Sequence, residues 1–243
     1  MTIPRQIRPR RIDDPKLSAS ELQRAFAGFD RLSRANRVSG KIVSLLRGYA
    51  HAQGDLPLRI MNLGSGAGDL LLSWARLTGR AGLAVEVVSL ELDDAAIERQ
   101  RADALAAHID VEFQQRDFLQ GSLPHGFDVI ICAQWMHRLD DAHACRLIQS
   151  MQLAAAVAVI ITDYERSKTN AALLSVASRL VSRSPIVRAD TLAGVRSSHT
   201  RAEMSDLAQR ALARPVEATR VAPFYYLIAI DELVVRVPAP AFA

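Results

Sequence analysis

Three glycines at alternate positions, Gly64, Gly66 and Gly68, end a short apolar run and lead directly into a helix-like segment from Asp69. Glycine lacks a Cβ and tolerates positive φ, so such a turn brings a ligand close to the backbone and aims a helix N-terminus at it. Counting removes two nucleotide readings. A phosphate-binding loop needs a lysine followed by Ser or Thr after its last glycine, and Gly68 is followed by Asp69 and Leu70. A dinucleotide turn needs glycine at the sixth position; that position is Asp69, whose carboxylate would repel a pyrophosphate. A carboxylate beside the turn suits a ligand with a cationic end and no phosphate.

Two further acids fit such a ligand. Glu91 closes an apolar run 27 residues after Gly64, where a carboxylate accepts both hydroxyls of a ribose. The plainer role, a surface acid capping the next helix, is already filled by Asp93 or Asp94. Asp117 precedes Phe118 and Leu119; an acid there accepts from an adenine amino group while Phe118 or Leu119 covers the ring face. S-adenosylmethionine has this set of features: an ammonium, a sulfonium and an adenosine.

These residues need a sheet to hold them. Apolar runs at 58–63, 84–91, 111–114, 127–132 and 157–162 alternate with helical segments at 69–77, 93–107 and 140–153. The runs are continuous rather than alternating, as in parallel strands covered on both faces, and strand–helix alternation predicts a doubly wound α/β sheet. Residues 171–181 read as an apolar helix, 184–198 as irregular, and Thr200–Glu203 as a capping box opening a helix to about Leu212. Segments 215–221 and 224–230 follow without an intervening helix, which predicts an antiparallel hairpin at the edge of a mostly parallel seven-stranded sheet. Ahead of the sheet, prolines at 4, 9 and 15 mark an extended arm. Ser18–Glu21 forms a second capping box before Leu22, Phe26, Phe29 and Leu32 on one helical face. Asn36–Gly40 predicts a break and Lys41–Ala50 a second helix. The expected organisation is an arm and helical lid over 1–54, a main domain over 55–235 with 164–199 covering the acceptor, and a tail over 236–243.

The segment Met61-Asn62-Leu63-Gly64-Ser65-Gly66-Ala67-Gly68 resembles motif I of class I S-adenosylmethionine-dependent methyltransferases. Glu91, Asp117 and Phe127–Ile130 fall where that family has its ribose, adenine and fourth-strand motifs. Gln134–Asp141, Thr162–Ser167 and the N-terminal Arg10-Arg11-Ile12-Asp13-Asp14-Pro15 resemble a bacterial small-molecule subgroup, similar to the quinone-biosynthesis type and often associated with aromatic polyketides. The resemblance implies S-adenosylmethionine as cofactor, held by Asn62, Gly64, Ser65, Gly66, Gly68, Glu91, Leu92, Asp117, Phe118 and Gln134. One position departs from the pattern. Motif I usually has an acid two residues before its first glycine, to hold the methionine ammonium, and here that residue is Asn62, which keeps an acceptor oxygen without the charge.

Methyl transfer is an in-line displacement in which orientation and desolvation supply much of the rate. A hydroxyl acceptor gains from a general base. His137 follows the fourth strand at the carboxyl edge, where open α/β sheets bind ligands; His199, just before the Thr200–Glu203 capping box, is another candidate. The alternative for His137 is a helix start facing solvent or core. His51, His108, His125 and His143 read as surface positions. Trp135 and Met136 suit packing of a flat acceptor, and Asp163 suits the lining of its pocket. A metal-dependent mechanism needs carboxylates at the ends of strands four and five. The fourth ends in Ala133-Gln134, so no metal is expected. The expected reaction is methylation of oxygen or carbon of a small aromatic or apolar molecule.

Composition sets wider bounds. With 49% hydrophobic and 23% charged residues in 243, the chain reads as a globular protein of one main domain. It has no apolar run near 18 residues, no apolar signal core at its N-terminus and two cysteines, which together predict a cytoplasmic protein. Its net charge of +4 comes from arginines interleaved with acids, so nucleic acid is an unlikely substrate. A homodimer is compatible with the sequence. Two other functions stay open: a degenerate fold acting as a binding module, which Asn62 favours, and an RNA methyltransferase, which only the basic balance favours.

Overall fold

The computed structural model describes residues 3–34, 37–64, 69–221 and 223–231. Ser65, Gly66 and Gly68 of the glycine turn, Asn36 of the predicted break and the 236–243 tail lie outside the described residues.

Seven strands form one sheet: β1 (Leu58–Leu63), β2 (Val85–Glu91), β3 (Glu112–Gln115), β4 (Phe127–Ala133), β5 (Ala155–Tyr164), β6 (Thr219–Val221) and β7 (Tyr225–Asp231). Their order is β3-β2-β1-β4-β5-β7-β6. The first five pair in parallel, and β7 runs antiparallel to both β5 and β6. The doubly wound sheet with an edge hairpin is therefore as expected, although β6 is only three residues long.

Side chains one apart along a strand point to opposite faces, and both faces here are apolar. Ile60, Val129, Ile131 and Ile160 pack on one side, while Met61, Leu63, Ile130, Cys132, Val159 and Ile161 pack on the other. The first side is covered by α2 (Val38–Ala52), α3 (Asp69–Arg80) and α4 (Asp94–Ala106); the second by α5 (Asp141–Ala154) and α8 (Arg201–Leu212). Burial pushes the Cys132 thiol pKa up, as expected of a cysteine serving as a small core residue.

α2 begins at Val38, so Gly40 lies inside this helix and not in the predicted break. Its ten-residue apolar pattern reaches N-terminally because Val38, Ile42, Val43 and Leu46 share one buried face. A Cβ at Gly40 would meet nothing within 4 Å. Gly40→Ala is therefore expected to stabilise the fold by about 0.5–1 kcal/mol in denaturant titration.

α1 (Ala19–Arg34), α6 (Lys168–Val181) and α7 (Pro185–Ser197) pack together beside the sheet. The Ser18 capping box is present: Ser18 Oγ accepts from the Glu21 N–H at 3.3 Å, and Glu21 Oε2 accepts from the Ser18 N–H at 3.0 Å. α7 corrects the irregular segment expected at 184–198. Pro185 occupies the first turn, where its missing N–H has no helical partner to lose. Gly194 is retained inside the helix because a Cβ there would lie 3.0 Å from the Tyr164 ring. The two residues that read as breakers are thus a helix start and a close contact.

Candidate active site

The carboxyl ends of β1, β2 and β4 meet at one edge of the sheet. Gly64 leaves β1 with φ +63°, and its N–H donates to the Leu90 carbonyl at 2.9 Å. Asn62 is buried one turn of pleat earlier, and its Nδ2 donates to Ser89 Oγ of the neighbouring strand at 3.2 Å. Glu91 ends β2 with its carboxylate buried; Oε1 accepts from the Leu92 N–H at 2.9 Å. Leu92 itself is exposed beside it. Asp117 lies on the exposed loop after β3, where its Oδ1 accepts from the Leu119 N–H at 2.9 Å.

Phe118 does not remain free to cover a ring on its own. It is buried and meets Trp135 edge-on, with ring centroids 4.9 Å apart. Trp135 corrects its expected role in packing an acceptor. Its indole is buried over Gly64, so closely that a Cβ on Gly64 would sit 2.4 Å from Trp135 Cδ1. Gln134, just before it, holds φ +55° and donates its N–H to the Thr162 carbonyl at 2.7 Å. Gln134 Nε2 and Trp135 Nε1 are buried donors with no hydrogen-bond partner among the described residues. Unpaired buried donors are costly in a finished core, and a polar ligand at this edge would satisfy them.

His137 follows in a short 3-10 turn, Met136–Arg138. It is 6% exposed, and Asp163 beside it at the end of β5 is 0% exposed. Asp163 Oδ2 accepts the His137 backbone N–H at 2.8 Å, and Oδ1 lies 2.9 Å from His137 Nδ1. Oδ1 also accepts from the Tyr164 N–H at 2.8 Å. The carboxylate is thus fully engaged, which corrects the expectation that Asp163 lines an acceptor pocket: it orients the imidazole instead. With Nδ1 protonated toward Asp163, Nε2 is left as the acceptor nitrogen. Nε2 makes no hydrogen bond to any described residue.

Met136 is fully buried in the core against α5, which corrects its assignment to the acceptor. His199 is also corrected. It is buried, its Nε2 lies 3.0 Å from Asp141 Oδ1, and its enclosed Nδ1 has no partner among the described residues. Burial lowers its pKa, but a ring whose Nε2 is already spent on Asp141 and whose Nδ1 is enclosed has no nitrogen to offer a substrate. His51, His108, His125 and His143 are exposed.

No local pattern reveals what covers His137. Tyr164 lies 6.0 Å from it between ring centroids and stacks on Tyr225 at 5.0 Å. Gly194 of α7 packs against Tyr164 and approaches His137 Nε2. The arm then ties α7 down. The Asp190 carboxylate accepts the Arg11 and Ile12 N–H groups at 2.8 and 3.0 Å, and Arg5 donates to the Ser197 and Leu139 carbonyls and to Asp141. Buried Arg166 bonds the Ile3 carbonyl and Glu203. None of these pairs is local in sequence, so no spacing rule reveals them.

The family model described as a methyltransferase domain matches residues 57–209. The chain belongs to this family. It is an S-adenosylmethionine-dependent methyltransferase, and the buried donors and carboxylate at the β1–β2–β4 edge suit that cofactor. No curated protein matches the sequence. Among solved structures, magnesium protoporphyrin IX methyltransferase from Synechocystis PCC 6803, with bound SAH, is similar at 15% identity and TM-score 0.56, covering 91% of each chain. An O-methyltransferase described as putative from Nostoc punctiforme PCC 73102 is similar at 13% identity and TM-score 0.59, covering 94% of this chain and 64% of that one. The mitomycin 7-O-methyltransferase is similar at 17% identity and TM-score 0.56, covering 90% of this chain and 59% of that one. At these identities the likeness is one of fold.

Proposed function

We propose that this chain methylates a hydroxyl oxygen of a small aromatic or apolar molecule, without a metal. The observation that carries the reading is the buried His137–Asp163 pair at the carboxyl edge of β4 and β5. A hydroxyl acceptor loses its proton as its oxygen attacks, and a base held in one tautomer is suited to take it. The absence of a carboxylate at the end of β4, with both Asp163 oxygens engaged, supports a metal-free site.

When bound, S-adenosylmethionine supplies an electrophilic methyl group on a sulfonium. Gly64, with Ser65, Gly66 and Gly68, would approach its methionine end, and Asn62 would offer an acceptor oxygen to the ammonium. Glu91 would accept from the ribose hydroxyls, Leu92 would cover the adenine, and Asp117 would accept from its amino group. His137 Nε2 takes the acceptor's hydroxyl proton as the oxygen attacks, and Asp163 stabilises the imidazolium that results. Tyr164 and α7 exclude water over the imidazole.

Calorimetric titration with S-adenosylhomocysteine tests the cofactor half, and radiolabelled methyl transfer to a panel of phenols tests the acceptor half. Absence of binding at high micromolar concentration sinks the reading. Glu91→Ala should weaken S-adenosylhomocysteine binding by about 1–3 kcal/mol, the scale of a lost charged hydrogen bond. An unchanged affinity removes Glu91 from the site.

A further inference from the structure

The outer face of α6 is more apolar than a helix facing water should be. Leu173, Val176 and Leu180 are 50%, 55% and 82% exposed. Their spacings of three and four place them on one stripe. The inward side packs Leu174 with Ala171, Ala177 and Val181 on the core and also holds Asn170 and Ser178, so α6 is apolar on its outer side as well. Isolated exposed aliphatic residues need no explanation, whereas a contiguous stripe does.

The segment that carries the stripe has one sign of charge. Between Glu165 and Asp190 the sequence has five cations and no acid. Arg166 is buried against Glu203, but Lys168, Arg179, Arg183 and Arg188 are exposed. At 3.6 residues per turn, Lys168 and Arg179 fall along one border of the stripe. Arg31 of α1 stands at the C-terminal end, donating to the Val181 carbonyl at 2.6 Å.

We propose that this face of α6 docks on an anionic lipid bilayer. Aliphatic side chains flanked by cations match the acyl boundary and headgroup layers of such a surface, and the fit needs no complementary shape. A second copy of the chain is a poorer occupant, because a two-fold contact through the stripe would set its cations against their own copies. A protein partner is also poorer: the stripe lacks the aromatic anchors that dominate protein interfaces. The proposal is independent of the methyl-transfer chemistry, since it requires neither cofactor nor turnover.

The test is co-sedimentation of the full chain with sucrose-loaded vesicles of phosphatidylcholine alone or mixed with phosphatidylglycerol. Binding is expected on the mixed vesicles. It should fall at least about tenfold on pure phosphatidylcholine and again at about 0.5 M salt, where exposed charges are screened. The triple variant L173Q/V176Q/L180Q changes only exposed helical positions and should keep its thermal melt while losing at least about tenfold in vesicle affinity. No binding to the mixed vesicles overturns the proposal. So does binding that the triple variant leaves unchanged, which would be non-specific adsorption of a basic protein. Self-association in sedimentation velocity that the triple variant abolishes, without vesicle binding, assigns the face to a second copy instead.

Discussion

His137→Gln is expected to lower turnover of a phenolic or hydroxyl acceptor by about two to four orders of magnitude, the range that a positioned general base contributes. Affinity for S-adenosylhomocysteine should stay within about twofold, because the imidazole is placed to act on the acceptor. Asp163→Asn should reach a similar loss by a different route. The Asn oxygen can still accept the His137 backbone N–H, so the 3-10 turn keeps its anchor. In that orientation its amide donates to Nδ1 and leaves the Tyr164 N–H without its Oδ1 acceptor; the proton is forced onto Nε2 and the acceptor nitrogen is removed. The two variants together separate orientation from chemistry. If His137→Gln retains full turnover on a hydroxyl acceptor, the base assignment is wrong and orientation alone drives transfer. If Asp163→Asn retains it while His137→Gln does not, the tautomer argument fails and Asp163 is only a structural anchor.

The part of this site visible in the sequence is the part built from local pattern. β1, the glycine turn and Glu91 follow one another along the chain, each announced by an apolar run and a polar end, so counting positions singles them out. His137 stands out the same way, as a histidine just past a buried strand. Asp163 reads from the sequence as a pocket residue at the end of β5, whereas its contacts are with His137 and the Tyr164 N–H. Its pairing with His137 needs the knowledge that β4 and β5 are neighbours in register, with Ala133 opposite Thr162, which puts the residues after one strand beside the end of the other. Trp135 failed for a related reason. An aromatic residue near a pocket reads as a ligand contact, and only the three-dimensional approach of Gly64 shows that its ring is already occupied. α7 is hidden in the sequence because Pro185 and Gly194 are helix breakers on average, while position decides both: the first turn for the proline, a crossing with Tyr164 for the glycine.

The contact between Gly64 and Trp135 makes the second large prediction. Gly64→Ala is expected to destabilise the fold by about 2–5 kcal/mol. Left-handed backbone costs an L-residue about 1–2 kcal/mol, and forcing a methyl into a filled space costs about 1–3 kcal/mol more. Here the neighbouring indole would have to yield, since the added Cβ would lie 2.4 Å from Trp135 Cδ1. A double-mutant cycle with Trp135→Ala separates the two contributions. The clash vanishes with the indole and the backbone cost does not, so a coupling of about 1–3 kcal/mol is expected between the sites. Strict additivity in urea unfolding would mean that Trp135 is not what confines Gly64. The contact also bears on function, because Trp135 is two residues before His137 on a turn held by Asp163. Displacing the indole therefore moves the base as well as the cofactor turn, and Gly64→Ala should reduce turnover by more than its loss of cofactor affinity accounts for.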